Sequence, residues 1–326
     1  MGSPSSDPLG PARPTPGYAA LERDYVPPAL EPDVRRQPIV RHLVLFAATL
    51  VSTTLVGANH YAGFIGNGAA PITNWNLVVH GLWYSAAVLG ILLAHEMGHY
   101  VACRYYRIDA SLPYFLPAPM LLAGTLGAFI RIRSAILSKR VLFDIGVAGP
   151  LAGFAVLLVP LIIGVNLSYV KPGIADSGEL IFGTPLILRF LEWICLPGAV
   201  PGDIYLHPVA RAAWVGVLAT ALNLLPIGQL DGGHILYAFA GERTRILSRV
   251  FVAALASLGI YQLFTTEYKA GYTWLIWSVI LLIVAMRHPT IIDPVPVGRA
   301  RTWLGLLALL LLILCFTPVP VRPSGL

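Results

Sequence analysis

The sequence predicts an all-α polytopic membrane protein of about six to seven transmembrane helices, with a short extended or β-hairpin re-entrant element between the second and third spans. Three observations carry that prediction. Of 326 residues, 56% are hydrophobic and only 12% charged, about half the charged share with which soluble domains cover their surface. The mean hydropathy is +0.73. Apolar runs recur at about 43–58, 78–102, 141–165, 208–227, 247–265, 272–286 and 302–317, several of them shorter than the ~20 residues of a full span, which leaves their ends open. A coiled coil and a wholly disordered chain are excluded by this profile. A disulfide scaffold is excluded because Cys103, Cys195 and Cys315 stand far apart without CxxC spacing.

The elements follow in order. Residues 1–41 hold nine prolines, five arginines and five acids, which predicts a disordered, solvated tail. Its acids, Asp7, Glu22, Asp24, Glu31 and Asp33, argue against a transit peptide, and the late first apolar run argues against a signal peptide. A membrane domain over 42–318, its core at about 78–240, and a short tail over 319–326 complete the division. Arginine and lysine set the orientation. The tail has five arginines, the 59–77 connection has no arginine or lysine, and the 103–140 connection carries Arg104, Arg107, Arg131, Arg133, Lys139 and Arg140. The positive-inside rule then places the N-terminus in the cytoplasm and the C-terminus outside. The net charge of +6 is spread singly and in pairs between apolar runs, so it marks topology and not a nucleic-acid surface. Arginine outnumbers lysine 19 to 3, with much alanine, glycine and proline, a usage that fits a GC-rich bacterial genome, and a bacterial inner membrane is the expected setting.

Two segments between the second and third runs do not read as helix. Leu112 to Pro119 contains three prolines. In Gly124 to Ser134, Ile130 and Ile132 alternate with Arg131 and Arg133, the period of a strand. Irregular backbone survives at membrane depth only against protein or a wet cavity, so a cavity is expected nearby. In the third run Gly146, Gly149 and Gly153 share a face and let a neighbouring helix approach closely.

The chemistry is concentrated in His95-Glu96-Met97-Gly98-His99. On a helix, residues four apart differ by about 40° in azimuth, so both imidazoles can close on one metal, with Glu96 about 100° away and free to take a proton from water. Three ionisable groups within five positions of an apolar helix cost on the order of 2.5–3.5 kcal/mol each, which demands a compensating function. Catalytic zinc uses three protein ligands and a water. Asp231, in Asn223-Leu224-Leu225-Pro226-Ile227-Gly228-Gln229-Leu230-Asp231-Gly232-Gly233-His234, falls at the inner end of the fourth long run and matches the depth of His95. His234 is a rival ligand ranked below it. His80, about four turns from the histidine pair, reads as structural, and Glu242 and Glu267 read as solvated.

These residues resemble the site-2 proteases, intramembrane zinc metalloproteases of the broad M50 group. The resemblance rests on His95-Glu96-x-x-His99 and on Asn223-x-x-Pro226-x-x-x-x-Asp231-Gly232, supported by Gly124-Thr125-Leu126-Gly127-Ala128, Gly149-Pro150-Leu151-Ala152-Gly153 and His288-Pro289. It implies a three-helix catalytic core with one Zn2+ held by His95, His99 and Asp231, Glu96 as general base and acid, and Asn223 positioning substrate or stabilising the oxyanion. It also implies regulated intramembrane proteolysis of single-span substrates in the lipid bilayer, such as an anti-sigma factor or a membrane-tethered regulator. The 166–207 connection is too short for the PDZ domain of some relatives, and no CBS-length segment follows residue 317, so the compact form is expected. The competing expectation is a non-proteolytic membrane zinc-binding or metal-transport protein, which gives Glu96 no task.

Overall fold

The computed structural model describes residues 39–66, 75–173, 180–200, 203–265, 271–284, 291 and 295–323. The tail through residue 38, Glu267 and His288-Pro289 lie outside the described residues. The chain is mostly helical. In order come α1 (Ile39–Phe64), α2 (Trp75–Tyr105), β1 (Tyr114–Pro117), β2 (Thr125–Phe129), α3 (Lys139–Asn166), β3 (Tyr169–Val170), β4 (Leu180–Phe182), α4 (Leu186–Cys195) and β5 (Ile204–Tyr205). Then follow α5 (Pro208–Leu224), α6 (Asp231–Ala240), α7 (Thr244–Thr265), α8 (Gly271–Val284), α9 (Arg299–Cys315) and β6 (Val321–Pro323).

Among the described residues four helical stretches are long and apolar enough to cross a membrane: Ile39–Phe64, Trp75–Tyr105, Lys139–Asn166 and Asp231–Thr265. Pro208–Leu224 and Gly271–Ile283 are apolar but shorter. Their outward faces carry large apolar side chains, among them Val44, Trp83, Ile163 and Ile283, as a surface solvated by lipid requires.

Helix α1 is built the other way round from a soluble helix. Thr49, Ser52, Thr53 and Thr54 are buried while Leu43, Val44 and Val51 are exposed. The threonine hydroxyls donate to carbonyls one turn back, Thr49 to Leu45 and Thr54 to Leu50, each at 2.7 Å. This satisfies them without water. Gly57 of α1 and Gly81 of α2 let the two helices touch, since a Cβ on Gly57 would press on Tyr84 and one on Gly81 would lie 3.0 Å from the Ala58 nitrogen.

The expected non-helical segment is an antiparallel hairpin, with Tyr114 opposite Phe129, Phe115 opposite Ala128 and Leu116 opposite Gly127. Gly124 and Gly127 take φ of +73° and +107°, values that suit only glycine comfortably. Beyond β2 the chain stays extended as far as Ile132, which bridges Ala110. The hairpin climbs α1. His42 Nδ1 donates to the Pro113 carbonyl at 3.0 Å, Phe46 meets Phe115 edge to face at 5.1 Å, and Ser52 Oγ donates to the Gly124 carbonyl at 2.6 Å.

Three features depart from the expected layout. The 208–227 run breaks at Leu224, because Leu225 precedes a proline and turns extended, ψ 133°. Residues 231–240 form a separate helix, α6. The long 166–207 connection holds β3, β4, α4 and β5. Strand β3 pairs with β5, and β4 pairs with β6, which lies in the segment expected as a short C-terminal tail.

The last helix is tied to the core by charge. Arg301 of α9 donates through Nε and one Nη to the two carboxylate oxygens of Asp144 on α3, at 2.8 and 2.7 Å, and Tyr106 donates to the same carboxylate. Arg301→Ala is expected to cost roughly 1–2 kcal/mol, the range for a charge-assisted pair that is partly exposed. The measurement is the unfolding midpoint in a denaturing-detergent titration at constant helical content, and an unmoved midpoint refutes the assignment.

Candidate metal centre

Helix α2 buries His95, Glu96 and His99 together, at 6%, 6% and 7% exposure. Asp231 comes to them from the far end of the α5–α6 turn. Pro226 ends α5, Gly228 takes φ +51°, and Asp231 becomes the first residue of α6, where the helix dipole favours a carboxylate. The turn folds very tightly. A Cβ on Gly232 would strike the carbonyl of Leu224, and one on Gly233 the carbonyl of Gly228. Ser248 of α7 closes it from below, its Oγ accepting from the Gly228 nitrogen and donating to the Pro226 carbonyl, both at 3.2 Å.

The three predicted ligand side chains form a small triangle. His95 Nε2 and His99 Nε2 are 3.1 Å apart, and each lies 3.3 Å from Asp231 Oδ2. Ligands on a tetrahedral zinc with bonds of ~2.0–2.1 Å stand about 3.3–3.4 Å from one another. The triangle therefore fits one face of such a tetrahedron and leaves the fourth position open. His99 Nδ1 donates to the Ile145 carbonyl at 2.7 Å, so its Nε2 presents a lone pair to the triangle, the arrangement usual for a metal-bound histidine. Two imidazole nitrogens and a carboxylate brought this close in a buried place are the kind of donor set that zinc takes. Among the described residues these three are the group of His, Cys, Asp or Glu side chains so placed; His234, the rival, is not part of it.

Glu96 lies within electrostatic reach of His95, His99 and Asp231, and the backbone N–H of Ile130, just past β2, approaches its carboxylate. Asn223 Nδ2 sits 3.2 Å from His95 Nε2, at the edge of the triangle. His80 lies away from the site, stacked on Tyr61 at 3.7 Å, and Glu242 accepts a hydrogen bond from the Tyr237 hydroxyl and pairs with Arg245.

The glycine face of α3 does more than the close packing read from its spacing. A Cβ on Gly149 would clash with the His99 ring, most closely with its Nε2, and one on Gly153 would lie 3.0 Å from His95 Cβ and 3.3 Å from its Nδ1. Gly146 likewise faces Asp231 and His234. These glycines are the seat of the site, and their three- and four-residue spacing was the available signal. Ser248 and the Ile145 carbonyl carried none.

Gly149→Ala is expected to weaken zinc binding by roughly 10–100-fold, the effect of displacing a ligand's support. Zinc content per chain by plasma mass spectrometry, with circular dichroism to show unchanged helix, checks it; full zinc in the variant would show that the ring does not need this space.

The sequence model of Peptidase family M50 matches residues 83–266, more than half of the chain. The chain is 31% identical over 242 residues to "Probable zinc metalloprotease EGY1, chloroplastic" of Arabidopsis thaliana, covering 71% of this chain and 42% of that protein. It is 30% identical over 239 residues to the protein of the same name from Oryza sativa subsp. japonica, covering 71% and 40%. To "Probable zinc metalloprotease EGY2, chloroplastic" of Oryza sativa subsp. indica it is 31% identical over 217 residues, covering 65% and 36%. The chain thus spans about two fifths of the length of these relatives. No solved structure matches it. Since the matched stretch takes in both the helix that carries His95 and the turn that delivers Asp231, the chain belongs to peptidase family M50.

Proposed function

We propose that the protein is an intramembrane zinc metalloendopeptidase that hydrolyses peptide bonds within or near the transmembrane segment of membrane-anchored substrates. The observation that carries this reading is a zinc-sized triangle of His95, His99 and Asp231, with Glu96 beside it, inside a bundle of lipid-length helices. Three of the relatives are named zinc metalloproteases. The two histidines and Asp231 would hold the ion. Bound zinc acidifies a water and polarises the scissile carbonyl.

Glu96 takes the proton of the attacking water on its carboxylate and returns it to the leaving amine. The Asn223 amide, beside the His95 ring, donates to the oxygen that gains charge. The hairpin receives the substrate. Its sheet has two strands, and among the described residues no strand covers the outer edge of β2. There Leu126 is 68% exposed, while the chain beyond the strand reaches Glu96 through Ile130. A substrate segment that has lost its helical hydrogen bonds can pair with this edge.

The hairpin is re-entrant in this reading, since its contacts rise from His42 to Ser52 along a spanning helix. The N-terminus is cytoplasmic and the membrane a bacterial inner membrane, although the relatives' names place them in the chloroplast. The shorter apolar helices α5, α8 and α9 complete the six to seven spans. Single-span regulators, an anti-sigma factor among them, are the substrate class.

Glu96→Gln is expected to keep one zinc per chain and to slow cleavage by about 10²- to 10⁴-fold. Comparing membrane proteomes of cells carrying the normal and Glu96→Gln proteins should show a single-span protein accumulating only with the variant; undiminished processing in the variant would rule out the protease and leave a metal-handling protein. Ile130→Pro should abolish cleavage at unchanged zinc content, and normal cleavage would refute the strand-pairing role of the hairpin.

A further inference from the structure

Arg211, near the start of α5, is 8% exposed, and none of the ion pairs among the described residues includes it. Its charge is held by other means. Nε donates to the Leu206 carbonyl at 3.1 Å, and the guanidinium lies over the rings of Tyr205 and Phe182, 4.7 and 5.3 Å from their centroids. Nη1 reaches His60 Nδ1 on α1 at 3.2 Å.

That contact decides the state of His60. A guanidinium has donors only, so Nδ1 must accept and the ring proton must sit on Nε2. His60 Nε2 in turn lies 3.0 Å from the carbonyl of Leu122, a group that can only accept. Both partners select the neutral Nε2–H tautomer. Tyr84 and Phe182 flank the ring, with centroids at 5.3 and 6.3 Å.

Leu122 belongs to the turn between β1 and β2. Among the described residues Tyr84, whose hydroxyl is 3.3 and 3.4 Å from the Leu122 and Ala123 carbonyls, and Ser52, at 2.6 Å from the Gly124 carbonyl, also donate to this turn. From the turn, β2 runs directly to Ile130 and the Glu96 carboxylate. A strand advances about 3.3 Å per residue, so a slip of one residue at the turn would carry the Ile130 amide away from Glu96.

We infer that His60 is a positioning residue for the hairpin: oriented by Arg211, it pins the Leu122 carbonyl and sets the height at which the far end of β2 meets Glu96. The tether stands on its own geometry and rests on the proposed function only for its effect on cleavage. The test uses the full chain, zinc-loaded in lipid nanodiscs, and amide hydrogen exchange read by mass spectrometry. His60→Phe keeps a ring between Tyr84 and Phe182 but makes neither hydrogen bond. His60→Gln offers an amide that can donate to Leu122 and accept from Arg211.

Residues 118–130 should exchange about tenfold faster in His60→Phe, with the 95–99 segment as protected as before. Zinc should stay at one per chain, and His60→Gln should recover most of the protection. Equal hairpin protection in the normal protein and His60→Phe overturns the inference. So does a loss that spreads through α2 and empties the zinc site, which is what a merely structural histidine would produce. With casein as an unfolded protein probe, His60→Phe should raise KM several-fold and leave kcat nearly unchanged. A hairpin that loosens while casein cleavage stays the same supports the tether and overturns the assignment of β2 as the substrate strand.

Discussion

The contact between α2 and α3 sets the terms for the rest of the molecule. Two helices that cross a membrane normally pack through their own side chains. Here α3 withdraws its side chains at Gly149 and Gly153, and the rings of His99 and His95 occupy the space. The same approach brings the Ile145 carbonyl to His99 Nδ1 and Gly146 to the backbone of Asp231. One packing decision therefore positions both rings, fixes a tautomer and admits α6. A methyl group at Gly149 competes with the His99 ring itself, not with solvent, and so is felt at the metal before it is felt by the fold.

Much of this was legible in the residues, for a physical reason. Charges are so expensive inside an apolar helix that His95, Glu96 and His99 stand out at once, and arginines alone bring Asp231 to their depth. What the sequence hides is how a carboxylate five residues beyond Pro226 turns back. That depends on a break at Leu224, on the positive φ of Gly228, on Gly232 and Gly233 tolerating carbonyls at their α-carbons, and on Ser248 from another helix. None of these has a periodicity. The pairing of β4 with β6 is unreadable for a similar reason, since three-residue strands far apart in the chain leave no alternation long enough to see.

Two clusters of buried polar groups bracket the hairpin. One is the His95, His99 and Asp231 triangle with Glu96 and Asn223. The other surrounds Arg211, whose cation is met by two aromatic faces, a carbonyl and a histidine. Away from water such groups are costly unless fully partnered. The hairpin joins the two clusters, with its turn on His60 and its far end at Glu96.

That bridge bears on how proteolysis can proceed in lipid. A substrate helix keeps every amide in an internal bond, and opening it exposes donors and acceptors where no water can take them up. On the proposed function, the outer edge of β2 supplies those partners in the same step that lays the scissile bond beside Glu96. The energetic cost of unwinding is then offset only when the substrate is in register with the strand. A strand free to slide would offset it at every register and leave the scissile carbonyl out of reach. On that reading an anchor for the hairpin at the end remote from the metal selects the register in which a substrate binds, while the ligands and Glu96 supply the chemistry.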